Sequence, residues 1–186
     1  LVLITKMGTI KRLTLTEIQE TKSGKTAIKL KPGDSVVSAF CSPKNTDIVI
    51  VASDAQVLRT SLEGISIQGR GASGVAGIKL RSGATVIGAG AILGDEILIT
   101  VTNDSSAKVT SLSDFENKGR GGVGVRATKL NNGVSLIFAK IGLQTGLLAV
   151  MGSDDDPKKI DPNPVTFLLE STKRDLVSTM TERQIL

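Results

Sequence analysis

A five-residue pattern, Lys-Leu-x-x-Gly, constrains this chain more than anything else in it. It occurs at Lys29-Leu30-Lys31-Pro32-Gly33, Lys79-Leu80-Arg81-Ser82-Gly83 and Lys129-Leu130-Asn131-Asn132-Gly133, 50 residues apart both times. A fixed period of that length marks an array of supersecondary units, each needing its neighbours to bury its apolar face. Gly24, Gly74 and Gly124 share the period, and Leu15, Leu62 and Leu112 share it within a three-residue drift. That drift is assigned to the opening hairpins, whose turns are Lys6-Met7-Gly8-Thr9, Ser53-Asp54-Ala55-Gln56 and, read as longer, Thr102-Asn103-Asp104-Ser105-Ser106. The units run about 1–46, 47–95 and 96–145. Leu30, Leu80 and Leu130 are expected at equivalent buried positions, with the preceding lysines peripheral.

Each unit holds short runs rich in Val, Ile, Leu and Thr, bounded by Gly, Asn, Asp and Ser, which read as strands. In the first unit they are residues 2–5, 9–13, 25–30 and 35–40, with room for one helical turn between residues 17 and 23. Four strands every 40 to 50 residues form a propeller blade in sequence. A β-sandwich has no reason to repeat one turn at constant separation. A fourth unit opens at residues 146–151 and then loses the pattern, with Pro162 and Pro164 excluding a central strand there. Residues 1–152 are therefore assigned to blades, and 153–186 to an atypical terminal segment and tail.

Charge separates the same two parts: residues 1–152 carry 18 Lys and Arg against 11 Asp and Glu, and the remainder 5 against 7. A basic body favours a polyanionic partner, while Asp154-Asp155-Asp156 in the tail could compete for the same cations. With no His and a single cysteine, metal centres built on those ligands and His-dependent triads are excluded. Cys41, beside Phe40, is expected as a packed small hydrophobe. No stretch approaches a membrane span and no secretory leader is present, so a cytoplasmic protein without membrane contact is expected.

Two glycine loops carry the remaining chemistry. Residues 69–74, Gly-Arg-Gly-Ala-Ser-Gly, and residues 119–124, Gly-Arg-Gly-Gly-Val-Gly, match a dinucleotide fingerprint, yet neither has room for the long helix that gives the fingerprint meaning. Ser23-Gly24-Lys25-Thr26 ends like a P-loop but has Gln19 where the first glycine belongs. No cofactor and no small-molecule substrate are expected. The glycines do permit positive φ and close backbone approach, with Arg70 or Arg120 projecting toward phosphate; a tight connector between blades is the alternative.

Taken together, Gly8 to Arg12, Lys25 to Leu30, Gly33-Asp34 and the stretch from Gly69 to Ile78 resemble the C-terminal domain of the A subunit of bacterial DNA gyrase and topoisomerase IV. The resemblance implies an all-β, propeller-like β-pinwheel whose blades exchange strands and whose basic rim bends DNA. Lys118-Gly119-Arg120-Gly121-Gly122-Val123-Gly124 is similar to the gyrase box, Gln-Gly-Arg-Gly-Gly-Lys-Gly in one variant. Lys118 replaces its Gln and Val123 its Lys. The implied partners are duplex DNA, an ATPase B subunit and the rest of the A subunit, in the bacterial nucleoid, with gyrase favoured over topoisomerase IV.

The expected role is non-sequence-specific binding and wrapping of duplex DNA by three blades and a partial fourth, within an ATP-dependent enzyme whose catalytic parts lie elsewhere. Having no Tyr, the chain cannot form a phosphotyrosyl link. An aromatic content of 2% removes the platforms needed for single-strand stacking. Candidate phosphate contacts are Lys11, Arg12, Arg59 and Lys108 on the second strands, and Arg70, Lys118 and Arg120 on the loops. A protein-interaction propeller is the rival.

Overall fold

The computed structural model describes residues 1–19, 26–143, 172–174 and 179–180. Each unit opens with an antiparallel hairpin whose strands alternate apolar residues toward two neighbours. These are β1 (Val2–Thr5) with β2 (Thr9–Arg12), β4 (Asp47–Ala52) with β5 (Gln56–Ser61), and β8 (Ile97–Thr102) with β9 (Ser106–Ser111). A third strand returns along the first: β3 (Val36–Phe40), β7 (Val86–Ile92) and β11 (Leu136–Gly142). The pairing shifts register at Ile4/Thr5, Val51/Ala52 and Leu136/Phe138, the same place in each unit. Irregularities of this kind add local twist to a sheet.

The fourth strand of each sheet comes from the following unit. β6 (Val75–Ala76) pairs with β2, β10 (Val125–Arg126) with β5, and β12 (Thr179–Met180) with β9. Three four-stranded sheets result, with orders β3-β1-β2-β6, β7-β4-β5-β10 and β11-β8-β9-β12. This is the strand exchange of a β-pinwheel, and it corrects the sequence assignment of the third run to its own blade. In the first unit residues 26–30 form no strand.

Exchange places the cores between blades rather than within them. On β4, Ile48 and Ile50 pack with Val2, Ile4 and Ile10 of the first sheet, while Val49 and Val51 pack with Leu98 and Leu136 of the third. A strand buried on both faces reads as a continuous apolar run, as Ile48 to Val51 does. The inner strands β3, β7 and β11 contact one another in succession, which leaves β6, β10 and β12 at the outer edge of the disc.

Several expectations change for this reason. Leu62 and Leu112 are buried, and Leu80 and Leu130 pack against the same cores, because each lies on the preceding sheet. Leu15 and Leu30 of the first unit are exposed, 46% and 40%, since no sheet precedes them among the described residues. Leu15 instead opens a short helix, α1 (Leu15–Gln19), where the later units have 3₁₀ turns at Leu62–Gly64 and Leu112–Asp114. The turns of the opening hairpins are equal in length, each with a left-handed residue, Gly8, Ala55 or Ser105, before the second strand. The drift lies between hairpin and glycine loop. Cys41 is exposed rather than packed, at the mouth of a cleft lined by Val37, Phe40, Gly90, Ile141 and Leu143. Gly24, the Asp154 to Asp156 run and most of residues 153–186 lie outside the described residues, as does the opening of the fourth unit. Among the described residues no helix is long and apolar enough to cross a membrane.

Candidate nucleic-acid interface

Four of the seven candidate cations are built into the junctions between blades. Lys11 is fully buried on β2, and its ammonium donates to the carbonyls of Ala27, Arg70 and Ala72 at 2.7 to 2.8 Å. Burial pushes its pKa below the ordinary 10.5, with Glu17 pulling weakly the other way. Lys108, at the equivalent position on β9, is buried and donates to Ala127 O at 2.9 Å. Between them Leu58 occupies the position with no charge.

The next residue on the strand makes a second kind of junction. Arg12 Nη1 donates to Leu62 O at 2.5 Å and Ile65 O at 2.7 Å, capping the 3₁₀ turn of the following unit. Arg59 Nη1 repeats this on Leu112 O and Phe115 O, each at 3.3 Å, and its Nε pairs with Asp47 at 2.8 Å. Each guanidinium thus adds a second donor to the carbonyl that opens the 3₁₀ turn and supplies one to the carbonyl just past it, at Ile65 or Phe115. Lys11, Arg12, Arg59 and Lys108 are therefore corrected from phosphate contacts to inter-blade fasteners. Short β-rich runs between turn residues predicted a strand here, but they carried no signal that both faces of that strand would be covered.

The loops keep their cations at the outer edge. Each immediately precedes an exchanged strand, with Gln68 N bonded to Arg12 O and Lys118 N to Arg59 O, both at 2.9 Å. Gly74 (φ 87°) and Gly124 (φ 83°) sit where the loop meets the neighbouring sheet. A Cβ on Gly124 would stand 2.4 Å from Val57 O, and on Gly74 2.6 Å from Ile10 O. Only glycine fits there. Arg70 is half-buried, and its Nη1 finds no hydrogen-bond acceptor among the described residues. Lys118 and Arg120 are exposed, Arg120 Nη1 making a long 3.3 Å contact to Ala76 O. Gly119 faces open space, Gly121 N bonds Gly77 O at 2.6 Å, and Val123 is half-buried.

Two cations expected only as peripheral parts of the repeated turn join these loops. Lys29 N donates to Ala72 O at 3.2 Å and Lys79 N to Gly122 O at 2.9 Å. The repeated Lys-Leu-x-x-Gly turn thus runs against the glycine loop of the next unit, carrying an exposed lysine to each. The shared 50-residue period was the available signal, since it kept turn and loop in constant register.

Residues 1–43, 46–92 and 96–141 match the family model described as the DNA gyrase C-terminal domain, beta-propeller. Over 74 residues the chain is 35% identical to the DNA gyrase A protein of Leptospira biflexa serovar Patoc (strain Patoc 1 / Ames), covering 39% of this chain and 9% of that one. A crystal structure of the C-terminal domain of DNA topoisomerase IV superposes with a TM-score of 0.82 at 20% identity, over 96% of this chain and 55% of that one. The DNA gyrase A C-terminal domain gives 0.78 at 18%, over 99% and 62%. The E. coli ParC C-terminal domain gives 0.72 at 14%, over 97% and 76%. These likenesses establish the architecture, and the chain spans only part of the Leptospira gyrase protein and of the first two solved domains. With the family model covering all three units and the exchanged sheets present, the chain belongs to the DNA gyrase C-terminal domain family.

Proposed function

We propose that this chain binds duplex DNA without sequence preference and bends it along its outer edge, as the C-terminal part of a type IIA topoisomerase's A subunit. The observation that carries this is the docking of the turns that bear exposed Lys29 and Lys79 against the glycine loops that bear Arg70 and, with Lys118, Arg120, at equivalent places on successive blades. Guanidinium and ammonium groups at regular spacing neutralise phosphates without reading bases, and no aromatic residue lies on either loop. A curved edge presenting them in succession favours a bent duplex. DNA is stiff over ~150 bp, so contacts along an arc offset the bending cost.

Cleavage, ATP hydrolysis and the B subunit belong to the remainder of such an enzyme. The 35% identity to a gyrase A protein supports gyrase over topoisomerase IV, and the altered box, with Val123 for Lys, supports weaker wrapping than an intact box gives. A nucleoid location in the cytoplasm follows from the same reading.

Five cations contacting phosphates contribute about −4.5 to the log–log salt slope, so affinity falls at least roughly 500-fold between 50 and 200 mM salt. A gel shift on random-sequence duplexes at two salt concentrations tests this. The rival, a protein-interaction propeller, draws on Ile137, Phe138 and Leu143, exposed on and beside the inner strand β11. It predicts no salt-dependent retention of DNA.

A further inference from the structure

Past the third unit the repeated sequence fails, yet the backbone register does not. Thr172 N donates to Val109 O at 2.9 Å, as Lys118 N does to Arg59 O and Gln68 N to Arg12 O. Arg12, Arg59 and Val109 occupy the same position on β2, β5 and β9. At the other end Met180 pairs with Ser106, as Arg126 pairs with Gln56 and Ala76 with Thr9. Residues 68–76, 118–126 and 172–180 therefore join the same two points on successive sheets with nine residues each. From the second to the third the offset is 54 at both ends, so no insertion or deletion falls within the segment.

Position by position, Gln68-Gly69-Arg70, Lys118-Gly119-Arg120 and Thr172-Lys173-Arg174 coincide. The arginine alone is kept. Lys173 replaces a glycine and is exposed, as is Arg174, whose backbone N–H is held by Asp114 Oδ2 at 3.3 Å. The glycines that identify the first two copies are lost, with Asp175 at the place of Gly71 and Gly121 and Ser178 at that of Gly74 and Gly124. A search by motif passes over this copy for that reason.

We infer that Lys173 and Arg174 form a third phosphate-contact station on the outer edge, continuing the series of Arg70 and Arg120 onto the third sheet. The inference extends the DNA-binding reading and rests on it. Two long cationic side chains reach phosphate without needing glycines beside them.

The test uses the 186-residue chain, random-sequence duplexes and a salt titration of affinity, with melting as the control. Lys173→Ala/Arg174→Ala should flatten the log–log slope by about two units, and Arg120→Ala by about one. Both should keep the Asp114 contact, which residue 174 makes through its backbone, and melting checks that they fold as the parent does. Should Arg120→Ala flatten the slope while the double variant keeps the parental slope, the third station is overturned and the DNA-binding reading stands. If neither variant changes the slope, the reading itself fails and the station with it. If the double variant melts early, Lys173→Gln/Arg174→Gln, which keeps side-chain bulk, replaces it under the same criteria.

Discussion

Arg12→Ala separates a structural cation from a DNA-binding one. Arg12 is 9% exposed, and its guanidinium donates to Leu62 O and Ile65 O across the junction between the first and second blades. Leu62 O retains the N–H of Ile65 at 3.1 Å, so truncation leaves the Ile65 carbonyl as the group without its partner. Hydrogen bonds from a charged donor contribute about 1.5 to 3 kcal/mol each, and burial of an unsatisfied carbonyl costs about 1 to 3. A loss of about 3 to 6 kcal/mol follows from the two bonds. In a domain of this size each kcal/mol moves Tm by roughly 2 to 4 °C, so the variant should melt about 10 °C early. Arg59→Ala, with 3.3 Å bonds and a part-exposed Asp47 pair, should lose less, about 1 to 2 kcal/mol. Thermal and urea melting measure both, and a salt titration of DNA affinity below the transition should give the parental slope. A variant that melts with the parent but binds DNA with a slope flatter by one unit would return Arg12 to the phosphate contacts and refute the fastener assignment.

Other perturbations address the remaining parts of the structure. Lys11 has a folded pKa below that of the unfolded chain, so between the two values the unfolded state binds more protons and stability rises with pH. Relative to Lys11→Met, the parent should therefore gain in urea midpoint as pH climbs through that window toward 10.5; a constant difference from about pH 8 up to that value contradicts it. Gly83→Ala meets open space and only the left-handed φ of 78°, costing about 1 to 2 kcal/mol, whereas Gly124→Ala adds an approach of 2.4 Å to Val57 O and should lose at least twice as much by the same melting assay. Equal losses would mean the exchanged strand is not held where described. Val123→Lys restores a cation to the box-like loop and should steepen the salt slope by up to one unit, read by the same gel shifts. No change in slope would detach position 123 from the interface.

The period made the blades legible because turn, loop and apolar runs repeat at one spacing, and four short strands per period have few other solutions. Exchange was not legible in the residues themselves: Val75-Ala76 looks the same whether it pairs within its own unit or with β2 of the previous one. That ambiguity explains the misplaced cations. Lys11, Arg12 and Arg59 sit among strand residues as rim cations would, and only the arrival of the next unit's loop or turn shows what holds them. Lys29 and Lys79 escape notice for the converse reason, since their proximity to the next glycine loop is a contact between units. Leu30 shows that identical residues at identical register differ in burial when, among the described residues, no preceding sheet covers one of them.

The central claim, that the outer-edge loops hold and bend duplex DNA, is tested most directly by energy transfer between the ends of a labelled duplex of ~40 bp, which is short against the ~150 bp persistence length and nearly straight when free. Adding the parent chain at low salt should bring the ends closer to the same extent on several scrambled sequences, and Arg70→Ala/Arg120→Ala, melting normally, should not do so at the same concentration. Bound duplexes whose ends stay as far apart as in free DNA, or a double variant that bends as well as the parent, would contradict the account.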